Sequence, residues 1–163
     1  MRIIGSVVLS SLMLAPGLAA ATSPIEGRFW NGRWESSGAS GEVHVGLEAV
    51  KSVSVTLRDE HGSTEYSGTV RSVDVQNGRV VIHGTLAEHR TSGVRDESTP
   101  FDTGWQPLTE ALTIMIEGTQ LPTVPYKVDV IVGTLTFTGA SPEVPEWLPG
   151  TQATVMLSSF GSQ

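Results

Sequence analysis

The sequence predicts an all-β fold: a single antiparallel eight-stranded up-and-down β-barrel, with a two-sheet β-sandwich as the alternative. Three observations predict it. Apolar residues alternate with polar ones at period two along most of the chain, the pattern of half-buried strands. Asn77-Gly78 stands between two such runs, and both residues tolerate the positive φ that a type I′ hairpin turn demands. Patterns at helical period are nearly missing. The closed barrel is favoured over the sandwich mainly by the opening segment and the apparent meander, and it removes the open edges that an exported sheet without disulfides would present.

The elements follow in chain order. The first strand, near 28–36, carries "GRFWNGRW", where alternation puts Trp30, Gly32 and Trp34 on one face and Phe29, Asn31 and Arg33 on the other. The inward tryptophans are expected to plug the barrel, with Trp30 near its floor and Trp34 higher. Val43, Val45 and Leu47 mark a strand at 42–48, and Val53, Val55 and Leu57 one at 51–58. Strands at 64–75 and 79–88 flank the Asn-Gly turn, and Leu112, Ile114 and Ile116 mark 109–117. Along 126–138 the apolar phase shifts, with Val128, Val130 and Val132 before Gly133 and Leu135 and Phe137 after it, which predicts a bulge or sharp bend. A strand at 151–160 closes the set. The expected core includes Val53, Val55, Leu57, Ile82, Leu112 and Ile114.

In an up-and-down order, alternate connections gather at opposite ends. One end collects the links at 49–50, 76–78 and 118–125; the other collects 37–41, 59–63, 89–108 and 139–150. A connection of about twenty residues in a compact domain is more often a binding loop or a disordered segment than a plain link. Seven of the nine prolines follow residue 99, which stiffens the long loops. Function is therefore expected at the long-loop end, with Phe101, Trp105 and Trp147 around the mouth.

Residues 1–21 have the tripartite pattern of a secretory signal peptide: Arg2, an apolar run from Ile3 to Leu14, Pro16-Gly17, and Ala19-Ala20-Ala21. That apolar run is too short to span a bilayer, and no later segment is long enough. Residues 22–163 are read as one domain, exported to a bacterial periplasm or the exterior. No cysteine occurs, which excludes disulfides, a lipidated cysteine and thiolate chemistry. The net charge is −7, and residues 96–163 hold Lys127 alone against eight acidic residues. Such a field repels phosphate groups, so nucleic acid and anionic membrane surfaces are not expected as partners, and the lack of a long apolar segment argues against membrane insertion.

Gly32-Arg33-Trp34, on the first strand of an eight-stranded barrel, resembles the Gly-x-Trp signature of the calycins, the lipocalin and avidin families. The resemblance implies a barrel closed at one end by the tryptophan, holding a small hydrophobic or heterocyclic ligand. Ser40, six residues after Trp34, falls where avidins place a ligand-binding serine, and "SGTVRS" at 67–72 is similar to the avidin third strand. The pattern departs from both families elsewhere. Val70 stands where avidins have a tyrosine, no Trp occurs in "GTLTFTG" or "ATVMLSS", and no arginine follows Arg95 where lipocalins carry one.

Catalytic patterns are sparse. "FDTGW" at 101–105 contains Asp-Thr-Gly, but aspartic-protease chemistry needs two aspartates sharing a proton and no second copy exists. An Asx-type turn accounts for Asp102 and Gly104. His44, His61, His83 and His89 show no paired metal-ligand spacing, so neither metal nor cofactor is expected. The serines of Ser37-Gly38-Ala39-Ser40-Gly41 lack the strand-to-helix setting of a nucleophile elbow. The reading is a non-enzymatic binding protein that takes a small apolar or saccharide ligand, or a partner, at Ser40, His89, Phe101, Trp105 and Trp147. An adhesion or envelope module without a cavity is the alternative, and a secreted hydrolase the third. The filling of the barrel discriminates, since a cavity of about 300 Å³ or more could hold a ligand.

Overall fold

A computed structural model describes residues 24–58, 62–95, 99–123 and 128–160. The signal-peptide reading of residues 1–21 and His61 lie outside the described residues. Among the described residues nine strands are present: β1 (Phe29–Ser36), β2 (Ala39–Leu47), β3 (Lys51–Arg58), β4 (Gly62–Gln76), β5 (Arg79–Arg95), β6 (Thr99–Asp102), β7 (Gln106–Thr123), β8 (Val128–Thr138) and β9 (Gln152–Phe160). Each pairs antiparallel with its neighbour in the order β1-β2-β3-β4-β5-β7-β8-β9, and β9 pairs back onto β1. The fold is a closed eight-stranded up-and-down barrel with β6 as an extra strand on β5.

The predicted hairpin is present. Asn77 and Gly78 both have positive φ, 51° and 81°, and the Gly78 carbonyl accepts a hydrogen bond from the Gln120 amide at 2.8 Å. The tight-turn and long-loop ends also follow the predicted alternation. Ile25 caps the tight-turn end, where its carbonyl accepts the indole N–H of Trp30 at 3.2 Å.

Two expectations are corrected. Residues 89–108 are not one long loop: β5 runs on to Arg95, β6 folds back against it, and β7 begins at Gln106. Gly93 in the middle and the polar residues around it hide this strand from an apolar-periodicity reading, because its faces are not core. In β8 the register stays continuous on both sides from Val128 to Thr136, with no bulge at Gly133. Ile131, Leu135 and Phe137 are buried, so alternation sends Val128, Val130 and Val132 outward and Asp129 inward. Gly133 serves close approach instead, since a Cβ there would lie 2.0 Å from the Glu117 carbonyl oxygen of β7. The irregularities fall in the long strands, at Ser67/Gly68 and Val70/Ser72 of β4 and at Leu86/Glu88 of β5. The segment 67–72 thus belongs to a bulged fourth strand.

Among the described residues, large apolar side chains pack the barrel interior. Trp30, Trp34, Tyr66, Phe137, Leu86 and Ile114 are among the side chains less than 2% exposed, and Val53, Val55, Leu57, Ile82 and Leu112 are buried with them. Trp34 meets Phe137 edge-on at 5.6 Å between ring centroids. Gly32 lets β9 close on β1, because a Cβ there would lie 1.9 Å from the Met156 carbonyl oxygen. At the tight-turn end the inward Asp129 forms an ion pair with Arg28, which satisfies a carboxylate that would otherwise be buried at a cost.

Candidate functional site at the long-loop end

β5 continues six residues past its last partner in β7, the His89 to Gln106 pair, and there it is sandwiched between β4 and β6. The result is a three-stranded extension at the long-loop end. One face carries Thr64 opposite Thr91, with their hydroxyl oxygens 3.1 Å apart, and Tyr66 opposite His89. Phe101, opposite Gly93, is in phase with this face. The other face carries Ser63 against Ser92, Glu65 opposite Arg90, and Arg90 against Asp102.

The sequence "FDTGW" folds as an Asx turn at the base of this extension. The Gly104 amide donates to Asp102 Oδ1 at 2.8 Å, and the Thr91 amide donates to Thr103 Oγ1 at 3.0 Å. The Arg90 guanidinium donates to both Asp102 oxygens. Its hydrogen bond holds the Asp102 carboxyl below the usual range, with help from the Gly104 amide, and Asp102 in turn raises Arg90. A carboxylate so committed is structural, fixing the turn that presents Trp105.

The segment 139–151 between β8 and β9 closes the long-loop end. Val144 and Leu148 are buried in the same cluster as Trp34, Tyr66 and Phe137. Glu143 latches the segment to the start of β7: its carboxylate accepts from the Thr109 amide at 3.2 Å, the Thr109 hydroxyl at 2.6 Å and the Ser141 hydroxyl. Those hydrogen bonds, Ser141 first and Thr109 second, bring the Glu143 carboxyl down to about 2. Beneath it the Tyr66 hydroxyl donates to the Glu143 carbonyl at 3.5 Å, and burial raises that phenol to about 12.

The structure gathers some of the predicted residues and separates others. His89 and Phe101 share the extension, and Trp105 follows directly at its base, 43% exposed. Trp147 sits on the closing segment, 49% exposed, with its carbonyl accepting from Thr151. Ser40 stands apart, exposed on the outer wall beside a groove of about 500 Å³ that also touches Arg33, Arg58 and Met156. Trp30 and Trp34 lie inside the barrel. Among the described residues no cluster of His, Cys, Asp or Glu is arranged to hold a metal ion. Sequence reading missed Tyr66 and Glu143. The alternation of Tyr66 with Gly68 and Val70 was a signal for the first, whereas Glu143 meets Thr109 across 34 positions with no local pattern to announce it. No protein-family model, curated protein or solved structure matches the chain.

Proposed function

We propose that this is an exported, non-enzymatic binding protein whose ligand lies on the surface of the long-loop end, across His89, Phe101, Trp105 and Trp147. The observation that carries this reading is the pair of half-exposed indoles at that end, Trp105 and Trp147; the packed interior counts against a ligand held in a cavity. Trp34, Tyr66 and Phe137 share one buried cluster with Val144 and Leu148, and this packing supports a ligand on the outer surface over one held inside. The half-exposed indoles of Trp105 and Trp147 supply large, rigid contact area at low entropic cost, and the neighbouring Thr64, Thr91 and His89 supply hydroxyl and imidazole groups. That mixture suits a saccharide better than a purely apolar molecule. The periplasm or the exterior is the compartment that this reading assigns.

Intrinsic tryptophan fluorescence tests it, because Trp30 and Trp34 are shielded and Trp105 and Trp147 report the surface. Titration of the purified protein with oligosaccharides is expected to shift the emission, and Trp105→Ala is expected to abolish most of that shift. Lipophilic probes of interior size are expected to leave the spectrum unchanged. If no ligand shifts the emission and Trp105→Ala leaves every interaction intact, the reading fails. An adhesion or envelope module, acting through another face, would then stand in its place.

A further inference from the structure

The outer wall of β1 carries two charges that the surrounding strands leave unmatched. Among the described side chains, Arg28, Lys51, Arg58, Arg79 and Arg90 each hold a carboxylate, and Arg71 donates to the Thr85 hydroxyl. The Arg33 side chain makes neither an ion pair nor a hydrogen bond among the described residues, and the same holds for Glu35. The two stand two positions apart on one strand, both exposed on its outward face. Their cross-strand neighbours do not neutralise them. Glu42 lies opposite Arg33 in the β1 to β2 register, but its carboxylate accepts from Arg58 of β3 at 2.6 Å. Opposite Glu35 is Ser40, which offers a hydroxyl and no charge.

These residues line a groove of about 500 Å³ on the outer wall, a volume in the range of small-molecule sites. Its origin is local. The β2 to β3 ladder ends at the Val43 to Val55 pair, so Ser40 and Gly41 have no register partner on β3, and residues this small leave a depression between the longer Arg33, Glu35 and Arg58. On the β9 side Met156, in register with Arg33 and 58% exposed, gives the groove an apolar wall. Arg58 reaches Glu42 through one nitrogen, and the other N–H groups of its fork have no side-chain acceptor among the described residues.

We infer that this groove binds a zwitterion of the α-amino-acid type with an apolar side chain. The ligand carboxylate takes the planar fork of Arg33, with Arg58 and the Ser40 hydroxyl beside it; the ammonium goes to Glu35, and the side chain lies on the thioether of Met156. The spacing selects the class. Positions two apart on a strand have Cα atoms roughly 7 Å apart, so the tips of Arg33 and Glu35 suit opposite charges carried on one carbon rather than the distant ends of a long peptide. A simple anion fits less well, because Glu35 and Glu42 border the groove and repel it. A neutral sugar gains nothing from either charge. Trp105 and Trp147 do not line this groove, so its occupancy does not depend on the ligand proposed for the long-loop end.

Backbone-amide chemical-shift titration of the labelled protein with L-leucine, isocaproate and isoamylamine is the test, since the last two each lack one of leucine's charges. Leucine is expected to perturb Arg33, Ser40 and Met156 with millimolar affinity, and each single-charge analogue to bind at least about 10-fold more weakly. Arg33→Gln and Glu35→Gln are each expected to weaken leucine binding at least about 10-fold, whereas Glu35→Gln leaves isocaproate binding no weaker than in the parent. Arg79→Gln, which removes the partner of Glu117 on β7, is expected to leave leucine binding unchanged. Far-ultraviolet circular dichroism of the three variants should match the parent, since the substituted side chains are exposed. Leucine that perturbs none of the groove residues up to about 50 mM overturns the inference. So does isocaproate binding as tightly as leucine, which marks a plain anion site, or leucine binding that survives both Arg33→Gln and Glu35→Gln.

Discussion

Trp34 shows how one residue organises its surroundings. Its indole N–H donates to the Thr56 carbonyl at 3.1 Å, across two strands, because Gly41 on the intervening β2 leaves the way open. A Cβ at position 41 would lie 1.6 Å from the Thr56 oxygen and 2.8 Å from the indole nitrogen. The β2 to β3 ladder accordingly stops at the Val43 to Val55 pair. Gly41→Ala is expected to destabilise the protein by about 3 kcal/mol through overpacking. Trp34→Phe, which keeps a ring but removes the donor, is expected to cost about 1–3 kcal/mol. Urea unfolding checks both. Arg28 and Asp129 form the corresponding polar feature at the other end, with side chains 15% and 12% exposed. Asp129→Ala leaves the guanidinium unpaired and is expected to cost about 3 kcal/mol, read by the same method. The inward tryptophans were legible in "GRFWNGRW" because alternation and size agree there. The Asp129 pairing was not, since an aspartate between valines looks like the solvent side of a strand until its partner 101 positions away is known.

Among the elements, hairpin strands were the most legible. Asn77-Gly78 has one favourable turn type, and that turn sets the β4 to β5 register at the tight-turn end. β8 was located correctly but with its first half inverted, because period two fixes that faces alternate and only packing fixes which face is inside. The β5 extension and β6 were hidden, since strands that pair without contributing to a core leave no apolar signature. The closing segment was likewise read as an open loop, and its latch is a tertiary contact. That latch predicts a pH dependence. Folding lowers the Glu143 carboxyl from 4.5 to about 2, so the folded state binds fewer protons between those values. The stabilisation is complete above pH 4.5 and is lost as the pH falls toward 2. In thermal melts, Glu143→Gln is expected to lie below the parent at neutral pH and to converge with it as the pH approaches 2. A gap that stays constant over that interval would show that the carboxylate is not what holds the segment.

For the whole molecule, the two ends could be read from connection lengths once an up-and-down order was assumed, whereas the choice of barrel over sandwich rested on the opening segment and the meander. Whether the barrel is hollow could not be read. Its packing brings Tyr66 of β4, Phe137 of β8 and Val144 and Leu148 of the closing segment into one buried cluster from three parts of the chain, which no local pattern encodes. That packing supports a ligand on the outer surface, and so carries the functional account from the interior to the surface. The decisive measurement is backbone-amide chemical-shift mapping of the labelled protein during titration with the saccharide that shifts the tryptophan emission. Binding at the long-loop surface predicts perturbations confined to Thr64, the run from His89 to Trp105, and the segment around Trp147. Perturbation of the inward-facing Val55, Ile82 and Ile114, with Trp105 and Trp147 unmoved, would mean that the ligand enters the barrel and would contradict the account.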